Sequence, residues 1–323
     1  MVLVTSRSFS SGDLDLSGEL SRAGCVVLTG PADHHLETLQ PLLAQVTAWI
    51  AGTGPVTAAH LDAAPRLRLV ARYGVGVEAV DLAAAAARDV LVTNTPGANS
   101  GAVADHAVAL MLAALRDVPR GDRSVRAGDW GVRRSRQLGG LTVGIVGLGR
   151  IGREVAARLS GFGSRLLAHD PYVMPQELHR LGVEGLSLTD LMGRSDVVTL
   201  HAPGEEQVVD AQVLTLVRPE LVLVNTARAS LVDEAALAVA LRAGRVRTYA
   251  ADVLGGEDGD LDHPLLAEDL VDRTVFTPHA AAQTVQAVDQ MGRGAVDAVL
   301  ATLRGDEPAH LVSVPAPAPG AAR

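Results

Sequence analysis

Three side chains that can bind a carboxylic acid and move a proton follow three different aliphatic strands of the sequence. They are Arg228, Glu257 and His279. A guanidinium binds a carboxylate through paired N–H donors. An imidazole exchanges a proton near neutral pH, and a nearby carboxylate raises its pKa by favouring the charged ring. The three residue types together predict a site that holds a small acid and transfers a proton on it.

Each of these residues also has an ordinary structural explanation. A single histidine after a strand is commonly a structural hydrogen-bonding group, and Arg228 could cap the helix that begins near Asp233. Glu257 lies in an acidic stretch with Asp258, Asp260 and Asp262, which is typical of a solvated loop. Their shared position after strands favours a site, because ligands of parallel sheets bind at the carboxyl ends of the strands.

A glycine-rich loop gives the sharpest local signal. Gly147, Gly149 and Gly152 follow the strand 142–146 and open a helix, and a second strand ends in Asp170. Glycines in this pattern allow a tight turn, a close approach of the backbone to a pyrophosphate, and close packing of helix on strand. The helix N-terminus attracts the pyrophosphate. A carboxylate at Asp170 would accept hydrogen bonds from the ribose hydroxyls and repel a 2′-phosphate, which favours NAD over NADP.

Strands and helices alternate along the whole chain, and this rhythm predicts an α/β fold with parallel sheets. In the first part the predicted strands are Val2–Thr5, Cys25–Leu28, Ala48–Ile50, Leu69–Ala71 and Val90–Thr93. In the second part they are Thr142–Val146, Arg165–His169, Asp196–Leu200, Leu221–Asn225, Arg247–Ala251 and Val275–Thr277. Long helices are predicted from about Ser100 to Leu115 and from about Thr284 to Leu303, and Pro119, Gly121, Gly128 and Gly131 predict an irregular connection.

Composition narrows the class of protein. A chain of 323 residues predicts two domains. The formal net charge of −9 argues against a nucleic-acid partner. All 28 basic residues are arginines, which excludes Schiff-base chemistry on a lysine. One cysteine, no signal-peptide pattern and no run of about 18 apolar residues predict a cytoplasmic protein without a membrane partner.

The chain resembles the D-2-hydroxyacid dehydrogenases, and within them the 3-phosphoglycerate dehydrogenase-like branch without a C-terminal regulatory domain. The resemblance runs from about Val46 to Leu300 and rests on motifs that occur in the family's order. These motifs are Arg72–Glu78, Asn94–Gly97, Val103–His106, Gly147–Gly152, His201–Pro203, Asn225–Arg228, Leu231–Glu234, Asp252–Leu254 with Glu257, and Thr277–His279.

The resemblance implies two Rossmann/flavodoxin-like lobes, with an NAD-binding lobe (99–286) inserted into a flavodoxin-like substrate lobe (1–98 and 287–323), and a homodimer formed through the 100–140 segment. It implies that Arg228, Glu257 and His279 are catalytic, with no metal, and that the substrate is a small anionic 2-hydroxy or 2-keto acid. The implied substrate-binding residues are Arg72, Tyr73, Gly74, Val75, Gly76 and Asn94. The implied cofactor-binding residues are Val103, Gly147, Gly149, Arg150, Ile151, Gly152, Asp170, Pro171, His201, Ala202, Pro203, Thr226, Ala227, Arg228, Asp252, His279 and Ala281.

The substrate and three related activities stay open at this point. Ala51-Gly52 stand where phosphoglycerate enzymes often carry Arg-Ser, so the cation that would bind a substrate phosphate is absent. Enzymes that oxidise phosphite or a phosphonate are expected to use a lysine, and this chain has none. Formate dehydrogenases pair their histidine with glutamine, whereas Glu257 stands here. An NAD-sensing corepressor-like protein can keep the same three residues, and only turnover distinguishes it from an enzyme.

Overall fold

The computed structural model describes residues 1–204, 206–256 and 262–312. Two compact units make up the chain. Unit 1 comprises Met1–Asn99 and Gln283–Arg323, and unit 2 is the Ser100–Ala282 segment inserted between them. Glu257, which the sequence singles out as a catalytic candidate, lies outside the described residues.

Unit 1 is a five-stranded parallel sheet with helices. The strands are β1 (Val2–Val4), β2 (Val27–Thr29), β3 (Ala48–Ala51), β4 (Leu69–Arg72) and β5 (Leu91–Thr93), in the spatial order β2-β1-β3-β4-β5. Its helices are α1 (Leu16–Arg22), α2 (Leu36–Leu43), α3 (Ala58–Asp62), α4 (Leu82–Ala86) and α12 (Val285–Arg304). Strand β3 is buried along its whole length, as expected for a parallel strand covered on both faces.

Unit 2 is a seven-stranded parallel sheet. The strands are β6 (Thr142–Val146), β7 (Arg165–His169), β8 (Glu184–Gly185), β9 (Val197–Leu200), β10 (Leu221–Asn225), β11 (Val246–Ala251) and β12 (Thr274–Phe276), in the order β12-β11-β10-β9-β6-β7-β8. The helices are α5 (Ser100–Leu115), α6 (Val118–Arg126), α7 (Arg150–Ser160), α8 (Pro175–Arg180), α9 (Leu188–Arg194), α10 (Val213–Leu216) and α11 (Glu234–Arg242), with short 3₁₀ turns at Ala229–Leu231, Pro264–Leu266 and Glu268–Leu270. The chain reverses its direction of progress between β6 and β9, which is where sheets of this order bind ligands.

The predicted α/β class with two parallel sheets is confirmed, and three local predictions are corrected. The part of the predicted irregular connection around Pro119 and Gly121 is a helix, α6, whereas Gly128 and Gly131 lie in the irregular segment that follows it, as predicted; Pro119 lies in the first turn of α6, where a missing N–H costs nothing. Strand β2 begins at Val27 and not at Cys25. The two-residue strand β8 was not predicted, because a strand this short carries no periodicity.

Asp196 joins the two strands on either side of the reversal point. Its carboxylate accepts hydrogen bonds from the Thr142 N–H (3.0 Å) and from the Arg136 guanidinium (2.9 Å). Burial alone would raise the pKa of Asp196, but the Thr142 N–H and Arg136 outweigh it and the pKa is lowered. The starts of β6 and β9 are therefore tied together by a charged group.

In the described part of the chain, none of the helices combines the length and the apolar composition needed to cross a bilayer. A search of the same residues finds no group of three or more histidine, cysteine, aspartate or glutamate side chains arranged to hold a metal ion.

Candidate active site

The loops at the carboxyl ends of β10, β11 and β12 are joined side by side by backbone hydrogen bonds. The Asp252 N–H donates to the carbonyl of Asn225 (3.0 Å), and the His279 N–H donates to the carbonyl of Asp252 (3.0 Å). Arg228 follows the first of these strand ends within three residues, and His279 stands on the third. The structure therefore gathers two of the three predicted catalytic residues on neighbouring loops of unit 2.

Asn225 shapes the turn that carries Arg228. Its side-chain oxygen accepts from the Ala227 N–H (3.0 Å), and its amide nitrogen donates to the carbonyl of Arg228 (2.8 Å). The same amide nitrogen lies 3.3 Å from the hydroxyl of Tyr249, whose pKa is raised by burial. Asn225 is fully buried and was not among the predicted site residues. The signal that could have found it is a polar amide at the end of an otherwise aliphatic strand.

A single carboxylate holds the turn that carries His279. The Asp252 side chain is 2% exposed and accepts hydrogen bonds from the N–H groups of Ala280 and Ala281, both at 2.8 Å. His279 has a φ of 51°, in the left-handed region. This conformation costs about 1–2 kcal/mol in a residue with a Cβ. The bonds to Asp252 offset that cost and leave the histidine side chain exposed.

The glycine-rich loop has the geometry that the sequence predicts for a phosphate cradle. Gly147 has a φ of 88°, and a Cβ there would lie 2.6 Å from the Ala202 nitrogen. A Cβ on Gly152 would overlap the carbonyl oxygen of Gly147. A Cβ on Gly149 would meet no heavy atom within 4 Å, and Gly149 is the N-cap residue of α7. Two glycines are therefore needed for packing, and the third leaves open space in front of the helix N-terminus.

Asp170 ties the glycine loop to the end of β7. One carboxylate oxygen accepts from the Leu148 N–H (2.7 Å), and the other accepts from the Tyr172 N–H (2.9 Å). A carboxylate has about four acceptor positions, so it can still accept from two ribose hydroxyls. Beside it lies an open pocket of about 550 Å³, lined in part by Ala168, Leu178 and Val183. His179 and Ser187 also line this pocket, and an acceptor beside a wall of mixed polarity fits the ribose and the base of a dinucleotide.

Two buried polar atoms after β9 and β10 have no hydrogen-bond partner among the described residues. They are Nδ1 of His201 and Oγ1 of Thr226. The other ring nitrogen of His201 lies 2.8 Å from Oγ1 of Thr199, and burial lowers the pKa of His201 to about 3. His201 is therefore a neutral ring at neutral pH. Because buried polar atoms usually have hydrogen-bond partners, these two atoms indicate that a polar ligand binds at this edge of the sheet.

The other residues that the sequence assigns to the cofactor lie on α5 and on the segments that follow β6, β7, β9, β10 and β12. Arg150 and Pro171 are exposed after β6 and β7, and Pro203 is exposed after β9. Ile151, Ala202 and Ala227 are partly buried. Val103 on α5 and Ala281 after β12 are buried.

In unit 1, the segment that follows β4 is held by its own neighbours. The Gly74 N–H donates to the carbonyl of Arg72, and the Gly74 carbonyl accepts from the Thr95 N–H, both at 3.0 Å. The Asn94 side chain donates to the Val75 carbonyl (2.7 Å). These bonds account for the Gly74 N–H, so Val75 and Gly76 are the predicted residues whose N–H groups suit an anion.

The same segment has a buried cation and a buried tyrosine behind it. Arg72 is 9% exposed and donates to the carbonyl of Tyr73 (2.6 Å), and a Cβ on Gly74 would lie 3.2 Å from its guanidinium. The Tyr73 hydroxyl donates to the carbonyl of Val288 (3.0 Å), and burial raises its pKa. Arg72 therefore adds positive charge beside the segment, and Tyr73 supports it from the core.

Glu234 was missed by the sequence reasoning, although its motif was noted. Its carboxylate accepts from the Gly255 N–H (3.1 Å) and from Nε2 of His263 (2.9 Å). Since Nδ1 of His263 accepts from the Leu265 N–H, the ring proton is on Nε2. One carboxylate thus fixes both described ends of the stretch 255–263.

Comparison with known proteins places the chain in one family. Residues 108–281 match the model described as "D-isomer specific 2-hydroxyacid dehydrogenase, NAD binding domain". The chain is 43% identical over 258 residues to a D-3-phosphoglycerate dehydrogenase of Mycobacterium leprae. The aligned region covers 78% of this chain and 48% of that relative. It is 38% identical over 270 residues to a glyoxylate reductase of Korarchaeum cryptofilum, covering 81% and 80%.

A solved structure gives the same result at the level of the fold. The D-lactate dehydrogenase of Aquifex aeolicus, complexed with NAD and lactic acid, matches with a TM-score of 0.86 and 25% identity. The match covers 98% of this chain and all of the other. Among the curated relatives, the chain spans about half the length of the phosphoglycerate dehydrogenase that it matches.

Proposed function

Since the chain belongs to the D-isomer specific 2-hydroxyacid dehydrogenases, we propose that it transfers a hydride between NAD and a small D-2-hydroxy acid or its 2-keto acid. The observation that carries the proposal is the row of backbone hydrogen bonds from Asn225 through Asp252 to His279. These bonds place the loop that carries Arg228 and the turn that carries His279 at the ends of neighbouring strands. The proposed domains are a substrate-binding domain (1–98 and 287–323) and an NAD-binding domain (99–286).

The glycine loop and Asp170 would hold the cofactor. Open space at Gly149 and the N-terminus of α7 suit a pyrophosphate, and the Asp170 carboxylate suits the ribose. His201 and Thr226 offer buried polar atoms to the same ligand. When bound, NAD supplies the hydride acceptor and NADH the hydride donor. Asp170 is followed by Pro171-Tyr172 and not by an arginine that would bind a 2′-phosphate, which supports NAD over NADP.

Arg228 would bind the carboxylate of the acid and orient its reacting carbon. The turn around Asn225 fixes the backbone of Arg228, so that the guanidinium starts from a defined position. A guanidinium presents two parallel donors to a carboxylate and cannot lose its charge at neutral pH. For unit 1, we propose that the N–H groups of Val75 and Gly76 bind an anionic group of the same class of substrate, with Arg72 as a nearby positive charge.

His279 would hold the proton at the oxygen on the reacting carbon. In oxidation the ring takes the hydroxyl proton, and in reduction the protonated ring gives a proton to the carbonyl oxygen. We propose that Glu257 keeps the ring protonated by favouring its charged form. Its role rests on its place in the family's motif, five residues after Asp252.

A small, unphosphorylated acid is the best-supported substrate. Ala51 is fully buried at the end of β3, so no cation stands at the position where a phosphate-binding arginine is expected. The glyoxylate reductase among the relatives supports the same choice, since this chain covers 80% of it. Phosphoglycerate belongs in the test panel because other relatives are named for it.

Turnover with a panel of acids tests the proposal. NADH consumption is followed with glyoxylate, pyruvate and longer 2-keto acids, and NAD reduction with 3-phosphoglycerate, phosphite and formate. His279→Ala should abolish turnover and keep NADH binding, whereas His35→Ala, an exposed histidine of unit 1, should leave both unchanged. NADH binding without turnover of any acid would refute the enzyme and favour an NAD-sensing binding protein.

We also propose a homodimer formed through the 100–140 segment, in a cytoplasmic protein. Two large apolar side chains there are strongly exposed, Trp130 at 77% and Val132 at 96%. A second copy packed on this segment would remove both side chains from water. Light scattering should give twice the mass of one chain, and Trp130→Glu with Val132→Glu should lower it; a monomeric parent protein would contradict the proposal.

A further inference from the structure

His106 lies on α5, far in sequence from the residues that the proposed reaction uses. Its Nε2 is 2.8 Å from Oγ1 of Thr277 and 3.4 Å from a carboxylate oxygen of Asp252. The imidazole is 24% exposed, whereas the Asp252 side chain is 2% exposed. The sequence marks His106 only as part of a motif, and the proposed function leaves it without a role.

The hydrogen-bond chemistry fixes the direction of this chain of contacts. The Thr277 hydroxyl lies 2.5 Å from Asp252 and donates its single proton to the carboxylate. Its oxygen is then an acceptor toward His106, and the carboxylate also only accepts. Nε2 of His106 therefore carries a proton that it donates to the Thr277 hydroxyl, and the same N–H lies beside the carboxylate.

Asp252 connects His106 and Thr277 to the turn that carries His279. Its carboxylate binds the N–H groups of Ala280 and Ala281, and its backbone carbonyl binds the N–H of His279. A buried carboxylate needs donors around it to stay in place. Among the described residues, Thr277 donates a side-chain hydrogen bond to it, and His106 supports Thr277 and lies 3.4 Å from the carboxylate.

We propose that His106 is a positioning residue for His279. It acts through Thr277 and Asp252, and it keeps His279 in the left-handed conformation that sets the imidazole. The proposal rests on the proposed function for its kinetic consequence, but its structural consequence can be measured without turnover.

Substitutions at two positions of this chain of contacts test the proposal. His106→Leu removes the donor, and His106→Gln places an amide N–H at the reach of Nε2. Thr277→Val removes the hydroxyl with little change of side-chain shape, and Thr277→Ser keeps the hydroxyl. Asp105→Asn is the matched control, because Asp105 is the exposed neighbour on α5 and pairs with Arg158.

In His106→Leu and Thr277→Val, kcat should fall by about tenfold to a hundredfold, as expected for a displaced catalytic group, while the KM for NADH stays within about twofold. His106→Gln and Thr277→Ser should recover most of kcat. The double variant should lose no more than the worse single variant, because both changes break one chain of contacts.

Amide NMR provides the readout that does not depend on turnover. The Ala280 and Ala281 N–H resonances should shift, and their hydrogen exchange should speed up by about tenfold, in His106→Leu but not in Asp105→Asn. Unchanged resonances and exchange in both His106→Leu and Thr277→Val would overturn the inference. Altered amides in a chain that turns over no acid would support the inference while the proposed function fails.

Discussion

Replacing Gly149 by alanine should separate cofactor binding from folding. A Cβ at this position meets no heavy atom within 4 Å, and the φ of −72° is one that alanine adopts. Restricting the unfolded chain gains about 0.4–1 kcal/mol. Losing glycine at an N-cap position costs a similar amount, since alanine is a poorer N-cap. Stability should therefore stay within about 1 kcal/mol of the parent protein.

The same methyl group would enter the space in which the pyrophosphate approaches the backbone. We expect NADH affinity to fall at least about tenfold, which corresponds to about 1.4 kcal/mol. Gly152→Ala should behave in the opposite way, because its Cβ would overlap the Gly147 carbonyl oxygen, a backbone atom that cannot move aside. Overpacking of this kind costs about 1–3 kcal/mol, or a fall of several degrees in the unfolding temperature.

Thermal unfolding by circular dichroism and NADH titration by fluorescence measure the two effects. Gly193→Ala is the control for the glycine-to-alanine change itself, since it lies in α9 and its Cβ would make only an ordinary contact with the Leu216 carbonyl oxygen, at 3.4 Å. The reasoning is refuted if Gly149→Ala binds NADH as tightly as the parent, or if Gly152→Ala unfolds at the parent's temperature.

Three further predictions follow from charged and buried groups. His201 should show no titration of its ring protons by NMR above about pH 4, since its pKa is lowered to about 3; a midpoint near 6.5 would contradict its burial. Asp196→Asn should lower the free energy of unfolding at pH 7 by about 1.5–3 kcal/mol. The folded-state pKa of Asp196 lies below its ordinary value of 3.8, so the difference should persist above that pH and shrink as the pH falls through the folded-state pKa; denaturant titrations at pH 7 and at a series of pH values below 3.8 test this, and a difference that stays constant until the parent protein itself unfolds in acid would argue against the charge. Glu234→Gln should speed amide exchange at Gly255 with little change in melting temperature, because a neutral amide is a weaker acceptor than the carboxylate; an unchanged exchange rate would show that the contact does not hold the loop.

The sequence alone predicted the elements whose causes are local. The alternation of aliphatic strands and alanine-rich helices is set by side-chain periodicity, and it predicted parallel strands whose bounds lie within about two residues of those observed, with β8 missed. The division into two lobes came from the chain length and from the resemblance to a family. The glycine loop was predictable from its spacing between a strand and a helix, and Gly152 is required by the nearby Gly147 carbonyl oxygen. The close approach of Gly147 to Ala202 depends on tertiary packing. Helix α6 was missed because Pro119 and Gly121 disfavour a helix interior, yet proline in a first turn does not.

The site was predictable only in part. Strand order cannot be read from periodicity, and it is strand order that brings the loops after β10, β11 and β12 side by side. The neutral state of His201 depends on burial, which the sequence does not show. The contact of His106 with Thr277 joins residues 171 positions apart, and it exists because α5 packs on the sheet of unit 2. The chain itself determined which elements form and where the phosphate loop lies. Tertiary packing decided which distant donors surround Asp252, because a buried carboxylate is stabilised only by donors that the fold brings next to it.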